Sequence, residues 1–211
     1  MCGNGIRCLV KYALDQGVVR NDISKVTVGT ASGVLEVSTT IEGGKLVRAR
    51  VKMGQPEFRT DRIPVDGVNQ HTVVDYPFPV NGHEFEINCV SMGNPHAVAF
   101  IDRDVDLIPL ADIGPIVERH DMFPNRINFE IANIIDPSII KARVWERGTG
   151  LTMACGTGAC AIVATAHMKG LVNNEVLVQL PGGDLIVEWI GHGDIFLDGP
   201  VVEVFEGEWP D

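Results

Sequence analysis

Two cysteines in this chain stand in the same short phrase. Met1-Cys2-Gly3-Asn4-Gly5 opens the sequence, and Ala154-Cys155-Gly156-Thr157-Gly158 returns late in it. Each Cys-Gly-x-Gly runs straight into an apolar stretch with helical spacing. After the first come Ile6, Leu9, Val10, Ala13 and Leu14, ending at Gly17; after the second come Ala161, Ile162, Ala164, Thr165 and Met168, ending at Gly170. The spacing predicts an amphipathic helix behind each thiol, closed by a glycine. A thiol in such a turn meets free backbone N–H groups and the positive end of the helix dipole, so its thiolate is expected to form more easily. Two thiols placed alike suit proton transfer by a matched acid and base.

The elements that must position them also repeat. Val26-Thr27-Val28 and Val176-Leu177-Val178 read as strands, and Gly33 to Val37 and Gly183 to Val187 read as returning strands. The repeat predicts two related half-molecules, each a turn, a helix and a hairpin. Between them, Val47 to Met53, Phe85 to Met92, Ala97 to Ile101, Ile127 to Ile134 and Ile139 to Glu146 read as strands, and Leu110 to Arg119 as a helix. Many strands curved around few helices make an α+β fold. Breaks at Gly54-Gln55-Pro56 and Asp198-Gly199-Pro200 divide the chain into residues 1–55 with 199–211, and residues 56–198. A last strand, Val201 to Phe205, is expected to return to the first half.

Composition limits the function. Across 211 residues, 17 basic against 28 acidic side chains give a net charge of −11, which argues against nucleic acid as a partner. No apolar run approaches the roughly 20 residues of a membrane span, and the first residues are motif rather than signal peptide. Five cysteines without framework spacing fit reduced thiols in a cytoplasm. Cys2 with Cys8, or Cys155 with Cys160, would be the pairs for a metal, but no C-x-x-C occurs, and Cys8 and Cys160 fall within apolar helical faces where a buried thiol is expected. No phosphate-binding glycine motif is present.

The remaining polar clusters suit a zwitterionic ligand. They are Gly93-Asn94-Pro95-His96, Asn128 within an apolar run, and Glu146-Arg147-Gly148-Thr149-Gly150 shortly before Cys155. Amides and an arginine hold carboxylates, and a glutamate holds an ammonium. Singly, each has a plainer reading: Asn94 as a turn residue, His96 as a satisfied core histidine, Glu146-Arg147 as a surface pair.

Together these motifs, with Cys2 to Cys8 and the run Glu146 to Gly158, resemble diaminopimelate epimerase over essentially the whole chain. The resemblance implies a cofactor-independent, metal-free isomerase that interconverts LL- and meso-diaminopimelate for lysine and peptidoglycan synthesis, as a cytoplasmic homodimer. It implies two similar α/β lobes, each a barrel-like sheet around a central helix, with the site in the cleft between them. Carried over by position, Cys2 and Cys155 are the catalytic thiols. The amides of Gly3, Asn4, Gly156 and Thr157 bind the reacting end, and Asn94, Asn128, Glu146 and Arg147 bind substrate. His96 and Glu146 tune thiol protonation. Proline racemases and hydroxyproline epimerases, the relatives by mechanism, usually carry histidine where Asn4 stands. In the family a further stretch of chain precedes the first cysteine, so the first half is expected to be incomplete and partly to expose the face of Leu9, Val10 and Leu14. A remnant that only binds the amino acid, or a proline racemase-like amino-acid racemase, is the alternative reading.

Overall fold

The computed structural model describes residues 3–20, 22–30 and 33–208. Cys2, the first of the repeated thiols, lies outside them. The elements run α1 (Gly3–Asp15), β1 (Lys25–Thr30), β2 (Gly33–Glu42), β3 (Lys45–Gly54), β4 (Tyr76–Val80), β5 (His83–Ser91), β6 (Pro95–Phe100), a 3₁₀ turn (Val105–Leu107), α2 (Leu110–Glu118), β7 (Asn128–Asp136), β8 (Ile139–Glu146), β9 (Gly150–Thr152), α3 (Gly156–Met168), β10 (Glu175–Leu180), β11 (Gly183–Glu188) and β12 (Ile195–Pro200). The strands form one mixed sheet in the order β1-β2-β3-β12-β11-β10-β8-β7-β6-β5-β4, with β9 beside β8. The fold is α+β, as the sequence leads one to expect.

The repeat is visible element by element. Both helices that follow a Cys-Gly-x-Gly phrase are 13 residues long. Each ends in a left-handed glycine, Gly17 at φ 67° and Gly170 at φ 71°, because a residue without Cβ reverses the chain there without strain. The hairpins match in register too: β1 and β2 close on the pair Thr30 and Gly33, β10 and β11 on Leu180 and Gly183.

The two helices differ in burial. From Gly156 to Ala166 every residue of α3 is buried, as expected of a helix apolar all round. Its small alanines let β5, β6, β7, β11 and β12 close over it. In α1 one stripe is buried: Ile6, Arg7, Val10, Lys11 and Leu14. Leu9 stays 49% exposed and Tyr12 64%. Two expectations are thereby corrected. Cys8 is exposed rather than buried, because α1 packs mainly on β3 and Cys8 points off that contact. Val10 and Leu14, at 1% and 2%, are fully covered, so only Leu9 of the three expected apolar residues is exposed.

Strands β5 to β7 lack the simple apolar–polar alternation because both their faces are covered. Val90, Met92, Val98 and Ala132 face the core around α3. Ile87, Cys89, Ala97, Ala99, Phe129 and Ile131 face a second core beneath α2. The helix α2 lies tight on β8: a methyl on Gly114 would come within 2.4 Å of the Trp145 ring. The expected strand Val201 to Phe205 is absent. After β12 the Val201 amide still donates to the Val47 carbonyl at 3.1 Å, but Val202, Val204 and Phe205 are exposed. The pairing strand is β12 itself, whose Ile195 and Leu197 alternate into the core, and Pro200 ends it by lacking an N–H. It joins β11 on one side and β3 on the other. Ion pairs Arg48–Asp198 and Arg50–Glu188, each at 2.6 Å, and Lys52–Asp194 at 2.7 Å bracket that seam. Half exposed, each contributes about 1 kcal/mol or less.

Candidate active site

The N-termini of α1 and α3 meet. A methyl on Gly156 would lie 3.4 Å from the Cα of Gly3 and 2.9 Å from Leu197 Cδ2, and one on Gly3 would lie 2.8 Å from that same Leu197 carbon. Leu197 on β12 is fully buried and acts as a floor under both helix ends. Only residues without a side chain fit here, which explains the glycine that follows each repeated cysteine. The N-terminal amides of both helices lack intrahelical acceptors, so two donor clusters face one small region. Asn4 enters the same place: its buried Oδ1 has no partner among the described residues and lies 3.7 Å from where a Gly156 methyl would be.

Cys155 caps α3. Its backbone is extended (φ −129°, ψ 117°), the Gly158 amide donates to its Sγ at 3.4 Å, and Thr157 Oγ1 lies 3.4 Å from the same sulfur. The thiol is 6% exposed. Burial above all, with Glu130 and Glu146 adding negative charge, pushes it up to about 12, against the opposing hydrogen bonds from Thr157 and Gly158. This corrects the expectation that the helix end would ease thiolate formation here. Desolvation and two carboxylates outweigh a dipole that exposed groups would feel as a few tenths to one kcal/mol.

The other sequence-predicted residues line up along β6, β7 and β8. Gly93, at φ 88°, makes the turn that presents Asn94, whose Nδ2 donates to Thr157 Oγ1 at 3.3 Å. Asn128, 4% exposed, braces two segments: its Nδ2 donates to the Pro95 carbonyl at 2.7 Å, and its Oδ1 accepts from the Arg147 amide at 2.9 Å. That leaves one amide hydrogen for a ligand. Glu146 is half-buried and accepts from Thr152 Oγ1 at 2.7 Å. Arg147 is exposed at the tip of the β8–β9 turn, donating to the Asn125 carbonyl at 3.0 Å. His96 is completely buried, with Nδ1 2.7 Å from Glu130 Oε1.

Two carboxylates that matter here were not singled out from the sequence. Glu130 is buried on the inner face of β7, and burial holds its carboxyl above the ordinary range although His96 opposes this. Glu118 ends α2 and accepts from Trp145 Nε1 at 2.8 Å and from the Gly148 amide at 3.0 Å. Burial works against its charge, yet these bonds and Arg126 keep it below the usual carboxylate range. Gly148, at φ 77°, makes the turn they fix. The signal available for Glu130 was its place in an apolar strand, where a carboxylate needs a partner. Among the described residues no three His, Cys, Asp or Glu side chains converge as metal ligands.

A family model for diaminopimelate epimerase matches residues 88–204. Diaminopimelate epimerase of Acetivibrio thermocellus is 43% identical over 209 residues, 99% of this chain and 73% of that protein. The chain belongs to the diaminopimelate epimerase family. Its counterpart in Moorella thermoacetica is 42% identical over 211 residues, 100% of this chain and 74% of that protein. Among solved structures, a probable proline racemase from Agrobacterium radiobacter aligns over 95% of this chain and 65% of that one, with TM-score 0.69 and 16% identity. A PhzF-family phenazine biosynthesis protein from Bacillus anthracis aligns over 94% and 72%, with TM-score 0.61 and 14% identity. At such identities the likeness is one of fold. Among the described residues no helix is long and apolar enough to cross a membrane.

Proposed function

We propose that this chain interconverts LL- and meso-diaminopimelate without a cofactor, using Cys155 and Cys2 as the two proton-transferring thiols. The observation that carries this reading is the meeting of the two helix ends at Gly3 and Gly156 over Leu197. Each glycine directly follows one of the repeated cysteines, so the contact supports two thiols on opposite sides of one substrate carbon. Inversion then proceeds by removal of the Cα proton on one face by a thiolate and delivery of a proton on the other by a thiol. The N-terminal amides of α1 and α3 receive the carboxylate that gathers charge as the proton leaves, a preorganised donor set. With its high proton affinity, Cys155 is the donor in the state at rest.

The far end of the substrate is held by Asn94, Asn128, Glu146 and Arg147, with carboxylate on the arginine and amides and ammonium on Glu146. On this reading the two lobes are residues 1–55 with 199–211 and residues 56–198, and β3 pairs with β12 where they adjoin. We further infer a cytoplasmic homodimer that takes no nucleic acid or membrane as partner and serves lysine and peptidoglycan synthesis. The test is turnover of LL-diaminopimelate by the chain and by Cys155→Ser. The substituted chain should still bind the amino acid in calorimetry but should not epimerise it. Epimerisation at an unchanged rate would remove Cys155 from the mechanism, and turnover of proline at a comparable rate would move the substrate assignment to the racemases.

A further inference from the structure

Behind Cys155 sits a sealed acid–base pair that the two-thiol scheme does not use. Glu130 on β7 and His96 on β6 are both at 0% exposure, joined by the 2.7 Å contact of Oε1 and Nδ1. Their outer atoms, Glu130 Oε2 and His96 Nε2, are buried with no hydrogen-bond partner among the described residues. A pair kept only for packing would be expected to have these atoms satisfied, because unpaired buried polar atoms are destabilising. The carboxylate also presses on the reacting end of α3. A methyl on Gly158 would lie 3.0 Å from Glu130 Oε1, 3.2 Å from Cys155 Cβ and 3.4 Å from Cys155 Sγ. Glu130, the first turn of α3 and the thiol therefore occupy one contact cluster.

The first turn of a helix favours one anion. Glu130 Oε1 is packed against that turn at Gly158, in a place of low dielectric, and a thiolate at Cys155 would be a second negative charge beside it. We propose that Glu130 is a positioning residue which, anchored by His96 and packed on the first turn of α3, holds Cys155 in its protonated, proton-donating form. This rests on the reading of Cys155 as a reacting thiol. Glu130 neither makes nor breaks a bond; its carboxylate sets which partner of the thiol–thiolate pair carries the proton before substrate arrives. The groups that face it are His96 from β6, Cys89 from β5, Glu146 from β8, and Cys155 at the start of α3. Glu146 adds to the same bias, and His96 is the partner that offsets it.

The test is the pH dependence of Cys155 alkylation by iodoacetamide, resolved from the other cysteines by mass spectrometry, in the unsubstituted chain, Glu130→Gln and Glu130→Asp. A like charge within a few ångströms is worth about one to three units. The Glu130→Gln curve should therefore move to lower pH by about one unit or more, roughly tenfold faster alkylation at a fixed pH below the midpoint. Glu130→Asp, which keeps the charge, should stay near the original. Superimposable curves for the folded chain and Glu130→Gln would overturn the proposal, as would an equal shift in Glu130→Asp. Should Glu130→Gln fail to fold, carbon-13 NMR of the unsubstituted chain decides. The Glu130 carboxyl shift must step at the pH where Cys155 alkylation turns on, and no step there refutes the coupling. Alkylation needs no turnover, so loss of the two-thiol reading by an active Cys155→Ser would be seen separately.

Discussion

Replacing Gly156 by alanine adds one methyl at the point where the two helix ends meet. Intrinsic helix propensity would favour alanine by about 1 kcal/mol. Against this, the methyl would sit 2.9 Å from Leu197 Cδ2 and 3.4 Å from Gly3 Cα. Leu197 cannot simply swing away, because its side chain is fully buried. Overpacking of this kind costs about 1–3 kcal/mol, so the net destabilisation is about 0–2 kcal/mol. At about 2–4 °C per kcal/mol for a chain of this size, Tm should fall by no more than about 8 °C. The rate should suffer far more. Parting the helix ends by about 1 Å misplaces the thiols across the substrate carbon, and such an error can cost about 10²-fold. The assay is kcat/KM for diaminopimelate beside a thermal melt, for Gly156→Ala, Leu197→Val and the double variant. The smaller side chain should restore part of both losses, giving non-additive energies. A folded Gly156→Ala with unchanged kcat/KM, or strictly additive energies with Leu197→Val, would refute the reasoning.

Glu118→Ala should leave the Trp145 and Gly148 donors unmatched and cost about 1–3 kcal/mol, read as a lower Tm. Because Glu118 is held below its ordinary range in the fold, it stabilises above the unfolded carboxylate pKa. That stability fades as pH falls through the folded value, so the gap between Glu118→Ala and the parent should narrow in acid. Arg147→Ala should raise KM at least about tenfold while the melt stays put, since among the described residues its exposed guanidinium makes one hydrogen bond, to the Asn125 carbonyl; a lower Tm with unchanged KM would make it a structural residue. Amide exchange should be on the order of 10² or more faster in α1 than in α3, because one face of α1 is open and α3 is enclosed.

Much of this arrangement was legible in the sequence because it rests on local rules. The helices behind the two cysteines, their glycine stops and the matched hairpins follow from period and turn chemistry. Strand β8 was read to the residue, Ile139 to Glu146. Strand β4 was missed because Pro77 and Pro79 mark a break in most contexts; at the sheet edge, with only β5 as neighbour, prolines are tolerated. The burial of α1 was misjudged because periodicity gives the apolar stripe but not which neighbours cover it, so Cys8 came out exposed. The proton state proposed for Cys155 rests on Glu130, which lies distant in sequence and is brought close by the packing of α3 on β7. No local pattern announces that.

The central claim is tested most directly by following the proton itself. LL-diaminopimelate should be turned over in deuterated water, sampled early in the reaction, with the chain and with Cys155→Ala. Two thiols acting from opposite faces predict deuterium at the inverted carbon of the meso product, none in the unreacted LL isomer, and no label transfer with Cys155→Ala. Early deuterium in recovered LL substrate would indicate one base serving both faces. Labelled product formed at the parental rate by Cys155→Ala would contradict the account outright.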